Sequence, residues 1–148
     1  MRFVRLLAAG FGTGYAPIAP GTVGSAAALV LGVAMLSVSP WLLALAALVA
    51  SLGGFWAVAR ADIEGDPGWV VIDEFAGQWI TLLGIGAVSV PWVMAAFALF
   101  RVLDVTKPGP IGWADRQHGT FGVMADDIIA GVIGAVMLAA VGLWLRGG

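Results

Sequence analysis

The chain has 148 residues, of which 61% are hydrophobic and only 11% charged, and its mean hydropathy is +1.01. A soluble globular domain carries about 25% charged residues, so this composition indicates one domain, residues 1–148, embedded in a membrane bilayer. Cysteine is absent, which excludes disulfides, thiolate metal sites and cysteine nucleophiles. The net charge of −2 argues against a nucleic-acid partner.

The N-terminal residues MRFVRLLAAG are basic at first, but their apolar part soon breaks into glycine and proline. No small-x-small cleavage site follows, so we expect no cleaved signal here. A membrane-crossing helix needs about 20 apolar residues. On that criterion the chain predicts an all-α bundle of about five hydrophobic helices, at Gly21–Val38, Trp41–Ala59, Val70–Val90, Trp92–Val105 and Ile128–Leu145.

Two polar segments separate these helices. The first is ADIEGDPG, residues 61–68. The second is TKPGPIGWADRQHGTFG, residues 106–122, in which two prolines and four glycines predict a loop.

The basic residues predict how the helices are oriented. Alternate crossings place most of them at ends on one side of the membrane, and the turns at Pro40 and Pro91 on the other side carry no charge. The positive-inside rule makes the charged side cytoplasmic, with Arg146 as an exception if the last helix crosses. All nine acids then share the cytoplasmic face. The basic residues concerned are Arg2, Arg5, Arg60, Lys107 and Arg116.

Asp73 and Glu74 stand at the start of the apolar run VVIDEFAGQWITLLG. On a helix they share an arc of about 140° with Gly77, Gln78 and Thr81, and this stripe is expected to face protein rather than lipid. The alternative is that both acids simply favour a helix N-terminus and lie in water.

The segment FRVLDVTKP contains Arg101, Asp104 and Lys107. Ionisable residues in a membrane helix usually mark a functional site. The alternative for Arg101 and Asp104 is a local ion pair three residues apart. Lys107 is placed either to interact with the negative end of the helix dipole or to bind an anion beside a carboxylate-bound metal.

The segment WADRQHG adds Asp115 and Arg116, which also suit a solvated loop. His118 is the only histidine and is expected at the surface.

Asp126 and Asp127 precede the last predicted helix. For Asp126 we favour helix capping. Asp127 lines up with Ala130, Gly131 and Gly134, a stripe of small residues that would let a neighbouring helix approach and draw Asp127 into the bundle.

The segment GFGTGYAPIAPGTVGS, residues 10–25, places glycines, Thr13, Thr22 and Ser25 before a helix. Backbone N–H groups at such a position suit a phosphate, although close helix packing explains the glycines equally well. Together with the acids and basic residues, this favours a hard cation, Mg²⁺, held by carboxylates facing a phosphate. Other phosphatase chemistries lack their cysteine, their DxDx[TV] aspartate or a second histidine.

Three blocks resemble the phosphatidylglycerophosphatase A family of bacterial membrane phosphatases. They are GFGTGYAPIAPGTVGS, GWVVIDEFAGQWITLL and FRVLDVTKPGPIGWADRQHGTFGVMADDIIAGV, about half of the chain. The resemblance implies magnesium-dependent hydrolysis of the phosphomonoester of phosphatidylglycerophosphate, in phospholipid biosynthesis at the bacterial inner membrane. The motif positions carried over are Asp73, Glu74, Arg101, Asp104, Lys107, Asp115, Arg116, Asp126 and Asp127.

The chain departs from the family pattern at a few positions. Thr106, Gly109 and Gly112 replace two aromatic residues and an arginine of a common W-K-P-W-P-I-R-W stretch, and Ile72 and Thr120 differ as well. The missing arginine puts headgroup binding in doubt, whereas the acids and the lysine are present.

These considerations predict a cytoplasm-facing site with water as the nucleophile, because no side chain is an obvious one. The expected metal ligands are Asp73, Glu74, Asp104 and Asp127, which with Lys107 form the catalytic set. The residues expected to bind the substrate phosphate are Thr22, Ser25, Arg101, Lys107 and Arg116.

Two other classes of protein stay open. A small proton- or cation-coupled transporter would use Asp73 and Glu74 as carriers near the bilayer midplane. A structural subunit of a larger complex would have no activity alone. The sequence does not indicate the oligomeric state.

Overall fold

The computed structural model describes residues 2–61 and 67–147, and within them the chain forms helices and no strand. The predicted all-α fold is confirmed. The acids of the first polar loop, Asp62, Glu64 and Asp66, lie outside the described residues. The elements are α1 (Arg2–Ala8), a 3₁₀ segment (Gly10–Tyr15), α2 (Pro20–Val38), α3 (Pro40–Arg60), α4 (Ile72–Leu82), α5 (Val90–Thr106), α6 (Pro110–Asp115) and α7 (Gly119–Gly147).

Proline defines where four of these helices begin. Pro20, Pro40, Pro91 and Pro110 each lie in the first turn of a helix, where a missing N–H costs no hydrogen bond and the fixed φ suits the helix. Pro91 therefore separates α4 from α5 as expected. Pro110, by contrast, starts a helix inside the segment that was predicted to be a loop.

Among the helices of the described residues, three are long and apolar enough to cross a membrane, namely α2, α3 and α7, rather than the five that were predicted. α4 was expected to continue to Val90, but it ends at Leu82 after 11 residues, too few for a crossing. α5 has 17 residues. The three long helices expose apolar side chains on their outer faces, for example Val30, Leu52 and Leu143, which indicates membrane association.

The apolar character of α4 has a different origin from that of the long helices. α4 packs against α2, α3, α5 and α7, and nearly all of its residues are buried. Apart from its polar stripe of Asp73, Glu74, Gln78 and Thr81, α4 is apolar, and an apolar helix surface is covered either by lipid or by protein. Here protein covers it, so the apolar run does not mark a membrane crossing.

The last helix starts earlier than expected. α7 begins at Gly119, not Ile128, and it runs for 29 residues. Asp126 and Asp127 therefore lie about two turns inside the helix, and both are buried. The capping interpretation of Asp126 is wrong, because the backbone N–H groups at this position already bond within the helix.

α4 and α7 approach each other through glycine. A Cβ added at Gly77 would lie 2.6 Å from the carbonyl oxygen of Asp127, and one added at Gly131 would lie 2.6 Å from the carbonyl oxygen of Gly77. Neither helix could carry a side chain at these points without moving apart. This contact confirms the close approach predicted from the small-residue stripe, and it sets Asp127 beside α4.

The other side of α4 is fixed by two long-range hydrogen bonds. The indole N–H of Trp79 donates to the carbonyl oxygen of Ala28 in α2 at 2.7 Å. The backbone N–H of Val71 donates to the carbonyl oxygen of Ala8 at the end of α1 at 2.9 Å. The Val71 bond holds the start of α4, with its two acids, and the Trp79 bond holds the helix near its end.

Candidate active site

The first turn of α4 carries two carboxylates into the interior. Asp73 is 6% exposed, and its Oδ1 accepts a hydrogen bond from the backbone N–H of Glu74 at 3.1 Å. Glu74 is partly exposed as a residue, but its Oε2 atom is buried and has no hydrogen-bond partner within the described residues. A buried carboxylate oxygen without a partner is costly, which suggests that a ligand completes it.

Asp127 from α7 joins these two acids. One carboxylate oxygen of Asp73, one of Glu74 and one of Asp127 all lie within 4.8 Å of one another. Three oxygens at this spacing fit around a single hard cation. They come from two helices that are far apart in the sequence and are brought together by the contact of Gly77 with α7.

A second group of acids shares one member with the first. Oxygens of Asp104, Asp126 and Asp127 also lie within 4.8 Å of one another. Asp104 comes from the last turn of α5, so the two groups together draw on α4, α5 and α7. Asp127 is the acid that the two groups have in common.

Arg101 faces this cluster from α5. Its Nη1 makes an ion pair with Asp104 and donates to the hydroxyl of Ser25 at 3.3 Å. The local pair of the alternative interpretation is therefore present, but it also reaches α2. Ser25 donates its own hydroxyl hydrogen to the carbonyl oxygen of Gly21 at 2.8 Å, so Ser25 holds Arg101 rather than presenting a free donor.

Lys107 ends α5 in a left-handed backbone conformation with φ 48°. Its Nζ makes ion pairs with Asp115 and with Asp126, the latter at 2.7 Å. Burial would by itself lower the pKa of Lys107, but the two carboxylates outweigh burial and raise the pKa above its ordinary value. Lys107 therefore stays charged, with one of its three N–H donors left for another acceptor.

Gly21 is a site residue that sequence reasoning missed. A Cβ added there would lie 2.3 Å from Oε1 of Glu74 and 3.6 Å from Nη1 of Arg101. The glycine thus leaves the space in which the Glu74 carboxylate lies against α2. The only signal in the sequence was its place in the glycine-rich segment before α2.

The remaining predicted residues lie at the edge of the site or away from it. Thr22 and Arg116 are exposed, and within the described residues no ion pair is formed by Arg116. Asp115 reaches the site only through Lys107. His118 is exposed, in agreement with the expectation of a surface residue.

The residues fit a divalent cation. The donor set consists of carboxylate oxygens, the ligands that Mg²⁺ prefers. Four or more acids packed this closely would repel one another unless positive charge lay among them. Arg101 and Lys107 supply part of that charge from the side of α5.

Comparison with known proteins identifies the family of the chain. The family model described as phosphatidylglycerophosphatase A matches residues 6–142. The chain is 45% identical to phosphatidylglycerophosphatase A of Escherichia coli, over 93% of this chain and 83% of the relative. It is 40% identical to phosphatidylglycerophosphatase A of Haemophilus influenzae, over 96% of this chain and 90% of the relative.

A third relative has a different assigned substrate. The chain is 36% identical to a protein of Bacteroides thetaiotaomicron described as a candidate phosphatidylinositol-3-phosphatase, over 96% of this chain and 94% of the relative. No solved structure matches the chain. With its family model covering most of the sequence and close relatives aligned along nearly the whole chain, the chain belongs to the phosphatidylglycerophosphatase A family.

Proposed function

We propose that the chain hydrolyses the phosphomonoester of phosphatidylglycerophosphate to phosphatidylglycerol and inorganic phosphate, with Mg²⁺ as cofactor. The observation that carries the proposal is the position of Asp127, which lies in both carboxylate groups beside Arg101 and Lys107. Acids and fixed cations in one buried cluster suit a cation and a phosphate bound side by side. The names of the Escherichia coli and Haemophilus influenzae relatives support the choice of lipid.

Asp73, Glu74 and Asp127 would hold the cation, and Asp104 would contribute through the group that shares Asp127. When bound, a divalent cation polarises the phosphoryl group and offsets the mutual repulsion of the acids. The helix contact at Gly77 fixes how closely α4 and α7 approach each other, and these two helices carry Asp73, Glu74 and Asp127. Such preorganisation avoids the cost of gathering the acids during the reaction.

The basic residues would bind the substrate phosphate. Lys107 keeps one N–H donor beyond its two carboxylates, and Arg101 keeps donors beyond those used for Asp104 and Ser25. Thr22 and Arg116 lie at the exposed edge, where a headgroup would enter. In the proposed reaction, the oxygen of a water molecule would bond to phosphorus while a site carboxylate takes one proton of the water. The bond from phosphorus to the glycerol oxygen would break, and the same carboxylate would return that proton to the glycerol oxygen, which leaves as the hydroxyl of phosphatidylglycerol.

We place this site at the cytoplasmic surface of the bacterial inner membrane. Three apolar helices support insertion in a bilayer. The basic residues Arg5, Arg60 and Lys107 lie at helix ends on the side where the acids of the site gather, which supports a cytoplasmic orientation through the positive-inside rule.

Phosphate release from the purified chain in detergent tests the proposal. With phosphatidylglycerophosphate as substrate, we expect phosphate release in the presence of Mg²⁺. After a chelator has removed the ion, the rate should be lower by about a hundredfold or more. Equal rates in both conditions would contradict the metal assignment. Phosphatidylinositol 3-phosphate is the comparison substrate. A preference for it would change the assigned lipid substrate and leave the proposed phosphomonoester hydrolysis unchanged.

The same preparation separates the other two classes of protein. A coupled transporter in vesicles would move cations without releasing phosphate from the lipid, and a structural subunit would do neither. The acids lie at the start of α4, at the end of α5 and in the first third of α7, which does not favour carriers at a midplane.

A further inference from the structure

Gln78 is a polar residue in the interior for which the proposed reaction has no role. Its side chain is fully buried, and neither Oε1 nor Nε2 has a hydrogen-bond partner within the described residues. Leaving one buried amide atom unsatisfied is already unfavourable, and here both are. The position therefore demands a ligand that both donates and accepts hydrogen bonds.

Gln78 shares a helix face with the other unpartnered buried oxygen. It lies four residues after Glu74, so the two side chains leave α4 in the same direction, one turn apart. Glu74 reaches Gly21 of α2 and approaches Arg101 of α5. Gln78 accordingly lies on the face of α4 that carries Glu74 toward α2, one turn further along the helix.

A water molecule matches the groups that meet there. Glu74 Oε2 and Gln78 Oε1 each accept a hydrogen bond, whereas Gln78 Nε2 donates. A buried water typically makes about three hydrogen bonds to such groups. We propose that Gln78 and Glu74 hold one ordered water between them, and that through this water Gln78 is a positioning residue for the Glu74 carboxylate.

The stability of a double-mutant cycle tests the water bridge without metal or substrate. Gln78→Met keeps the volume and removes both polar atoms. If water joins the residues, Gln78→Met strands Oε2 of Glu74 and lowers the thermal midpoint, measured in detergent with chelator, by about 3 °C or more. In a Glu74→Met background, Gln78→Met should lower the thermal midpoint by much less, because the Glu74 carboxylate that the water would join is absent.

The opposite results would overturn the proposal. A buried amide without a bridging water only lowers stability, so Gln78→Met would then raise the thermal midpoint or leave it unchanged. Its effect on the midpoint would also be additive with that of Glu74→Met. If Gln78→Met fails to fold while the double variant folds, the two residues are coupled as proposed. Thr81→Val is the matched control, because the Thr81 hydroxyl is satisfied by the carbonyl oxygen of Gly77 at 2.9 Å and its effect should be additive with Glu74→Met.

A second arm rests on the proposed function and examines the positioning role. Calorimetric titration with Mg²⁺ should show Gln78→Met binding the ion about 10- to 100-fold more weakly than the unaltered chain, whereas Gln78→Asn recovers part of the affinity. Unchanged binding in Gln78→Met would overturn the positioning role alone. If the unaltered chain binds no Mg²⁺, the metal assignment fails, and the cycle measured in chelator still decides the water bridge.

Discussion

Gly21 of α2 and Glu74 of α4 are in such close contact that a Cβ on the glycine would lie 2.3 Å from the carboxylate oxygen Oε1. No real Cβ tolerates that distance, so any substitution at Gly21 must displace the carboxylate or the helix. The site therefore depends on a residue that carries no functional group.

Gly21→Ala should reduce phosphate release by about 100-fold, because a misplacement of about 1 Å at a reacting centre has an effect of that size. The control is Gly53→Ala in α3, where an added Cβ meets nothing within 4 Å. Gly53→Ala should keep full activity and the same thermal midpoint or a higher one, since alanine favours the helix. Full activity in Gly21→Ala would show that the Glu74 carboxylate is not needed where it lies.

Lys107→Met should abolish most of the activity and also destabilise the chain. The change leaves Asp126, which is 5% exposed, without its ion-pair partner, and breaking a buried pair typically costs about 3–5 kcal/mol. Lys107→Arg keeps the charge and should fold, but it alters the geometry toward two acids. Thermal unfolding and phosphate release of both variants check this. An active, stable Lys107→Met variant would remove Lys107 from the site.

The raised pKa of Lys107 predicts how the site responds to alkali. A raised folded-state pKa contributes stability that is fully present below the unfolded value of about 10.4 and is lost as pH rises through the folded value. Activity should therefore not fall through loss of the Lys107 charge between about pH 8 and 10. A pH–rate profile with an alkaline limb in that range that disappears in Lys107→Arg would contradict the ion pairs.

Ser25→Ala should reduce activity only modestly, by about 3- to 10-fold, since it removes one long hydrogen bond from the Arg101 guanidinium to a hydroxyl while Asp104 still holds the guanidinium. Arg101→Lys should have the larger effect, because lysine cannot serve Asp104, Ser25 and a phosphate with one compact ammonium. Steady-state kinetics on the two variants test this order. A larger loss in Ser25→Ala would mean that Ser25 touches substrate directly.

Much of the site could be predicted because membrane helices rarely bury acids without a reason. The small-residue stripe beside Asp127 correctly indicated a closely packed neighbour, and the structure identifies that neighbour as α4. The acids of α4, α5 and α7 were predicted one at a time. That the two carboxylate groups share Asp127 depends on how the helices pack, which no single segment of the sequence indicates.

The errors have physical causes. Within the run from Val70 to Val90, the part from Ile72 to Leu82 is apolar because α4 is enclosed by other helices, and hydropathy does not distinguish protein from lipid as the surrounding medium. Pro110 predicts a loop only if it lies in a helix interior, and here it lies in a first turn, where proline is favoured. Gly21 could not be predicted as a site residue because it has no functional group and its role is to leave space for Glu74.

Acids from separate helices are proposed to bind one divalent cation, and Asp127→Asn tests this most directly because Asp127 belongs to both carboxylate groups. Calorimetric titration of the purified chain with Mg²⁺ should show a saturable site that Asp127→Asn weakens by about 100-fold or more, while the variant keeps its helical content. Mg²⁺ binding that is the same in Asp127→Asn as in the unaltered chain would contradict the account.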